Sequence, residues 1–442
     1  MTGSSPIHQL KDMPDFKKEL LQIGGQEVWL FYLDSLVDAI KTKQYLLRQS
    51  ELLHHAASPL PSDPSFLHSI SGKPVEGDFA IPVLQGQAIL FDTSSLQAVQ
   101  FTPLSVNLER SIEKSQIQSV VAGPQTAFTE ELDTNIGLLR KQLVSTNLVC
   151  RDITFGTDIK RRASLFYLEG SAHSGLVEEI WDAILKRQHV DHLTTQTVYK
   201  TLQQKWWNPF PTIFSTDQPM EASQMLHDGR VLLFLDQYPV ALVVPGMFQD
   251  TVFLTEDRNY PQIITYFLRI LRILALIVSS TAPALYVALI AVNPEVLRIE
   301  LALSIAQSRE GVPYPAMVEV LLMMLVLELV REASVRLPRS VGPTVTMVGG
   351  IVLGQAVVQA QLVSNLLIIV ISALSIANSS IIGVQSTIAI RIYKYLLLVI
   401  TSVFGFVGMF IGIVGFIVYL SHLITFGVPY LSKRKEPEIS HE

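Results

Sequence analysis

Residues Tyr395–Ser432 read YLLLVITSVFGFVGMFIGIVGFIVYLSHLITFGVPYLS, and residues Ser340–Ile390 read SVGPTVTMVGGIVLGQAVVQAQLVSNLLIIVISALSIANSSIIGVQSTIAI; neither stretch contains Asp, Glu, Lys or Arg. A helix needs about 20 apolar residues to cross a bilayer. The first-quoted stretch is long enough for at least one crossing and the second for two. An unpaired backbone group in lipid costs several kcal/mol, so such segments form helices. Working outward, Phe267–Val292 is a further apolar run with Arg269 and Arg272 at its start and Pro283 inside it, and Ala316–Val330 is another, preceded by Pro313-Tyr314-Pro315. The predicted class is a duplicated cytosolic α/β N-terminal region followed by an all-α, multi-span transmembrane domain.

The averages of the chain conceal this division. Its 442 residues are 49% apolar, with net charge −6 and mean hydropathy +0.36. Residues before about 262 carry most of the charge, and that length fits one or two soluble domains. The net charge argues against a nucleic-acid partner. Cys150 is the only cysteine, which excludes an internal disulfide or a cysteine-rich metal site and suits a reducing compartment. Met1–Lys11 lacks the apolar run of a signal peptide, so the polar half is expected in the cytosol.

That polar half reads as a module used twice. Val28-Trp29-Leu30-Phe31-Tyr32-Leu33-Asp34 and Ala163-Ser164-Leu165-Phe166-Tyr167-Leu168-Glu169 are apolar, aromatic runs ending in an acid, the pattern of buried strands. A helical stripe follows each: Leu36, Ile40 and Tyr45, then Leu176, Ile180 and Ile184. Further on, Gly86–Asp92 with Ala98–Phe101 and Gly229–Asp236 with Val240–Val244 read as β-hairpins. Between the modules, Gly123-Pro124 breaks the chain and Thr129 is a candidate helix cap. Leu132, Ile136, Leu139 and Leu143 then mark one buried stripe, with Asp133, Asn135 and Arg140 on other faces as solvated or bridging groups. The expected division is a tail at 1–25, a first α/β subdomain at 26–108, a helical connector at 109–149, a second subdomain at 150–258, the transmembrane domain at 262–432 and a basic tail at 433–442.

Charges and small residues in the apolar half supply the candidate functional positions. Glu319 falls near a helix N-terminus, where the macrodipole favours an anion. Glu328 with Arg331, and Glu332 with Arg336, have the spacing of pairs on one helix face, and Arg339 follows. They read either as a helix end solvating its charges or as a gate or inter-subunit cluster. Thr344, Val348, Gln355 and Gln359 share a sector about 60° wide on a helix, with Val352 one turn beyond Val348. They read as the wall of a water path or as one face of a packed bundle. Gly350 and Gly354 have the spacing that lets helix backbones approach, and Gly405, Gly408, Gly412 and Gly415 fall within about 80° of one another. Basic residues favour the cytosolic side. Either the last uncharged run doubles back, or one earlier segment does not span.

Walker-type glycine loops, zinc-ligand spacing and serine elbows are absent from the sequence. His54, His55, His189 and His192 lie in polar stretches and read as surface residues. No enzyme, cofactor or metal is expected.

Three ordered motifs carry a resemblance. They are Gly123-Pro124 with Phe128-Thr129-Glu130 and Asn135-Ile136-Gly137-Leu138-Leu139-Arg140; Arg309-Glu310-Gly311-Val312-Pro313-Tyr314-Pro315 with Glu319 and Arg331-Glu332-Ala333; and Arg336-Leu337-Pro338 with Val348-Gly349-Gly350 and Gly354-Gln355-Ala356. From about Val28 to Phe416 the chain resembles the A subunit of spore germinant receptors, the GerA family of spore-forming Gram-positive bacteria. It departs at Ser379-Ser380-Ile381-Ile382, where the family pattern has a proline. The resemblance implies a multi-pass protein of the spore inner membrane that acts with a transporter-like B subunit and a lipoprotein C subunit. It implies an oligomeric, channel-forming role in which nutrient binding to a partner triggers ion release. A secondary transporter subunit and a non-conducting membrane scaffold are the alternatives.

Overall fold

The computed structural model describes residues 10, 13–23, 26–55, 73–75, 80–92, 98–103, 126–172, 174–191, 195–202, 205, 207–254, 257, 259–337 and 342–432. The Gly123-Pro124 break, the residues joining Asp92 to Ala98 in the first expected hairpin, Arg339, His192 and the basic tail at 433–442 lie outside them.

The first sheet contains β1 (Phe16–Ile23), β2 (Gln26–Leu33), β3 (Lys73–Pro74), β4 (Ala88–Asp92) and β5 (Ala98–Phe101), in the order β1-β2-β4-β5-β3. The second contains β6 (Leu148–Phe155), β7 (Arg161–Leu168), β8 (Phe214–Thr216), β9 (Val231–Leu235) and β10 (Ala241–Val244), in the order β6-β7-β9-β10-β8. The two orders are the same when the strands of each sheet are counted from its own start, and neighbouring strands pair antiparallel throughout. Both expected hairpins form, β4 with β5 and β9 with β10.

The expected tail at 1–25 is corrected by β1, which pairs with β2 along its whole length. Its sequence, FKKELLQI, places lysines on an edge strand and so lacks the apolar run of a central one. Helix α1 (Ala39–His55) follows the first strand pair and α2 (Ala80–Leu84) precedes β4. The expected α1 stripe is out of phase. Leu36 is buried ahead of the helix, Ile40 and Tyr45 are exposed, and Thr42 and Leu46, four residues apart, face the core.

Three layers build the second module. Helices α3 (Leu132–Gln142) and α6 (Pro219–His227) cover one face of the sheet, against Phe166, Leu232, Phe234 and Val243. Helices α4 (Ser174–Leu185) and α5 (Thr195–Thr201) cover the other, against Leu165, Val231, Leu233 and Leu242. Alternate residues of one strand thus face opposite helical layers, which is why VLLFL and ALVV are buried at every position. Leu176, Ile180 and Ile184 form the buried stripe of α4, and Leu132, Ile136, Leu139 and Leu143 are buried on α3 and just past its end.

Thr129 does not cap α3, whose N-cap is Glu131. Instead the Thr129 N–H donates to Asn135 Oδ1 at 2.7 Å, and Asn135 Nδ2 donates back to the Thr129 carbonyl at 2.6 Å. Arg140 of α3 is 1% exposed and reaches Asp15, just before β1, at 2.5 Å. One buried ion pair therefore joins the connector helix to the first module.

The helical half begins with α7 (Gln262–Val287), extended by a π-helical turn at Ala288–Val292. It continues through α8 (Ile299–Ser308), α9 (Ala316–Arg336), α10 (Gly342–Gln359), α11 (Asn365–Ser379) and α12 (Val384–His422). Among the described residues, two helices, Gln262–Val292 and Gln385–His422, are long and apolar enough to cross a membrane. The second is not straight. Gly405 has φ 59° and ψ −139°. Tyr393 stacks on Phe416 with ring centroids 3.9 Å apart, whereas a straight helix would separate these residues by about 35 Å. The run therefore doubles back at Gly405 into limbs 384–404 and 406–422.

Asn293, at the end of α7, accepts the Phe406 N–H at 3.1 Å and so caps the returning limb. The chain then comes back to the second module. Tyr419 donates to Asn208 at 2.7 Å, and the Phe248 N–H donates to the Tyr430 carbonyl at 2.9 Å. Between these contacts, the short hairpin of β11 (Ile424–Thr425) and β12 (Val428–Pro429) inserts Phe426 into the core beneath α4 and α5.

Candidate functional site

Glu319 lies one turn inside α9 and is fully buried. Arg309, at the end of α8, donates to its Oε1 from Nε at 3.1 Å and from Nη2 at 2.5 Å. The Ser364 N–H, at the start of α11, donates to its Oε2 at 3.3 Å. The Ser364 hydroxyl caps α11 and shares a 2.8 Å hydrogen bond with Tyr286 of α7. One carboxylate thus ties together the segment before α9, the start of α11 and, through Ser364, the far part of α7. Removing one member of a buried charge pair costs about 3–5 kcal/mol, because the other charge is left uncompensated.

The remaining candidate charges of α9 form a separate cluster. Glu328 lies nine residues beyond Glu319, about 14 Å along the helix. Its expected partner was Arg331; it pairs instead with Arg391 of α12. Arg331 turns toward α11 and donates to Ser375 Oγ at 3.2 Å. Tertiary partners displace the local one: from neighbouring positions on α9, Glu328 reaches α12 and Arg331 reaches α11. Glu332 and Arg336 do pair, at 2.7 Å, and both are exposed.

Helix α10 carries the candidate pore wall. Thr344, Val348, Val352, Gln355 and Gln359 are all exposed, and Val357 is the one buried residue of this helix among those described. The helix packs on α9 through its end. Open space surrounds Gly350 and Gly354, so their close-approach spacing meets no helix of the same chain.

The four glycines of α12 do not form one continuous packing face, because Gly405 is the bend itself. A Cβ there would lie 2.1 Å from Asn293 Oδ1, at a backbone angle that disfavours side chains. Gly408 and Gly412 face Ile400 and Leu397 of the opposite limb, and Gly415 faces open space.

Sequence reasoning missed a cavity of about 770 Å³ between the modules. Asp15, Asp34, Asp38, Glu131, Asp133 and Asp152 line it with Lys17, Arg162 and Cys150. Among its carboxylates the sequence singles out Asp34, at the end of the first strand run, and Asp133 on the connector helix, without bringing them together. Burial pushes the Cys150 thiol up, and the Asp152 and Asp15 carboxylates add to that, so this cysteine is a poor nucleophile. Among the described residues, no group of three His, Cys, Asp or Glu is placed to hold a metal ion.

The match to known proteins runs through both modules and the helical half alike. Residues 7–440 match the family described as Bacillus/Clostridium GerA spore germination protein. The chain belongs to the GerA family. This GerA protein is 31% identical to spore germination protein B1 of Bacillus subtilis (strain 168) over 413 residues, which is 92% of this chain and 85% of that one. It is 29% identical over 410 residues to the uncharacterized membrane protein YfkQ of the same organism, covering 91% and 79% of the two chains. Among solved structures, it is similar to the N-terminal domain of the A subunit of the Bacillus megaterium spore germinant receptor GerK3. That likeness has 23% identity and a TM-score of 0.39, over 55% of this chain and 92% of that one.

Proposed function

We propose that this GerA protein is the A-type membrane subunit of a nutrient germinant receptor. In this reading it is non-enzymatic and forms a homo-oligomer around an ion path. The path opens when germinant binds a transporter-like B subunit, with a lipoprotein C subunit completing the receptor in the spore inner membrane. The observation that carries the reading is α10: a helix with a small-residue face and a weakly polar face, both left uncovered by its own chain. A second copy would supply the missing neighbour for Gly350 and Gly354. Thr344, Val348, Val352, Gln355 and Gln359 would then face the axis.

Placement in lipid is supported by the exposed Val403, Phe404, Val407, Phe410, Ile411, Val414 and Val418 on both limbs of α12, since large exposed apolar patches mark membrane or partner surfaces. The helical half leaves the second module at α7 and returns to it at Tyr430. That return supports an even number of passages, with both modules on the cytosolic side. Germinant acts on such an oligomer only by binding its open and closed states with different affinity.

Ion flux in liposomes carrying the complete receptor tests this. Germinant-dependent flux is expected, and Val348→Ala or Val352→Ala raises the basal leak. A receptor that conducts no ions with germinant, or a valine series with unchanged leak and dormancy, overturns the pore assignment. Saturable solute uptake would point to a carrier, and neither activity to a scaffold.

A further inference from the structure

A second cavity, of about 460 Å³, lies where the second module meets the helical half. Pro211, Ile213 and Phe214 form its module wall, and Gln385, Ser386, Thr387 and Arg391 of α12 line the opposite side. Arg391 already pairs with Glu328, yet its Nε is buried without a hydrogen-bond partner. One turn further along α12, Lys394 is 4% exposed and makes no hydrogen bond or ion pair among the described residues. The charges that act on Lys394 are Arg331, Glu328 and Arg391. Three cations, counting Lys394 itself, therefore share one carboxylate.

Such an imbalance is costly. A buried charge is tolerated when it is paired and hydrogen-bonded, and intramembrane cations face a partner or water. No carboxylate of this chain supplies the missing negative charge among the described residues. The adjoining cavity has the features of an anion site. It is concave, has an apolar wall, and is lined by the Ser386 hydroxyl and the Arg391 side chain. It also adjoins the first turn of α12, whose N-cap is a glycine with no side chain to occupy the free N–H groups.

We propose that this junction binds a phosphate group, and that an anionic phospholipid headgroup is the source its position favours. Arg391, with Ser386, contacts the phosphate, and Lys394 and Arg331 supply the surrounding positive field. The site would register the lipid next to the point where the modules meet the membrane helices. The lipid source rests on the membrane placement proposed above; the phosphate chemistry does not.

The test uses the full-length chain in nanodiscs of phosphatidylcholine with or without a minority of phosphatidylglycerol. Lipids that survive delipidation are counted by native mass spectrometry. The expected result is one retained phosphatidylglycerol per chain and no retained phosphatidylcholine. Lys394→Met and Arg391→Gln are each expected to weaken retention about tenfold or more, as truncation of one partner of a desolvated charge contact does. Arg391→Gln also strands Glu328 and can fail to fold, so Lys394→Met, which leaves that pair intact, decides.

A parallel titration of inorganic phosphate into phosphatidylcholine discs separates the sources. Stabilisation by phosphate without lipid retention assigns the site to a soluble phosphate. Loss of both signals in the wild type, or retention unchanged in Lys394→Met, overturns the proposal. So does compensation by a second copy, read as oligomers that Lys394→Met dissolves while no anion is retained. A chain that leaves the membrane without detergent defeats the membrane placement instead, and the phosphate titration still reads the site.

Discussion

The second module and the helical half both bury arginine, but they compensate it differently. In the module, Arg230 is 1% exposed and meets Asp250 through both terminal nitrogens, at 2.7 and 2.9 Å. Burial disfavours the charged guanidinium, yet the Asp250 carboxylate more than offsets this and leaves it harder to deprotonate than usual. The central strands there are covered on both faces. In the helical half, Arg331, Arg391 and Lys394 crowd a single carboxylate, and α10 leaves nearly all of its described surface open. One unit neutralises its charges and covers its apolar faces from its own sequence. The other leaves both incomplete, as a component of a larger assembly in lipid would.

The largest expected effect tests the self-sufficient unit. Arg230→Leu leaves the Asp250 carboxylate buried without its counter-ion, at a cost of about 3–5 kcal/mol. Thermal unfolding of the full-length protein in detergent should show the second module melting well below the wild type. Replacing both partners by apolar residues of similar size should recover much of the loss. Equal melting of Arg230→Leu and the wild type would show that the pair adds nothing to the module, and the contrast with the helical half would fall.

The next effect concerns the bend that returns the chain to that module. Gly405→Ala forces a Cβ onto Asn293 at a positive φ, costing about 2–4 kcal/mol from strain and overpacking together. The limbs then separate, and the Tyr393–Phe416 stack with them. A cysteine pair at positions 397 and 412 reads this directly, cross-linking in the wild-type background and losing the cross-link in the Gly405→Ala background. Undiminished cross-linking would mean that another residue type can make the turn.

What could be read from the sequence divides along the same line. Central strands β2, β7, β9 and β10 are legible because burial on both faces leaves an unbroken apolar run. Edge strand β1 is not, because its lysines interrupt the run. The stripes of α3 and α4 are legible because each helix faces one core. Glu319 was singled out by the macrodipole argument, but its partners Arg309 and Ser364 are 10 and 45 residues away. Arg391 reaches Glu328 across 63 residues, and no local spacing rule anticipates that. Gly405 repeats at the same small-residue spacing as Gly408 and Gly412, so a periodicity argument treats the bend and the contacts alike. The cavity between the modules is assembled from both of them, and neither segment carries its pattern alone.

The smallest effect separates the two ion pairs of α9. Glu332 and Arg336 are spaced as a helical pair and meet, but their side chains are 65% and 78% exposed. Water screens such a pair, and an exposed i, i+4 contact contributes about 0.3–0.5 kcal/mol. Glu328 and Arg391 are both less exposed and join two helices. Glu332→Gln should therefore shift the thermal midpoint of the helical half barely beyond error, and the shift should vanish in high salt. Glu328→Gln should lower the midpoint further at every salt concentration, because it removes the carboxylate that pairs with Arg391 and acts on Lys394 and Arg331. If the exposed pair proved the costlier to break, Glu332 would have to be buried by something this chain does not provide, and the end of α9 would become part of the subunit interface.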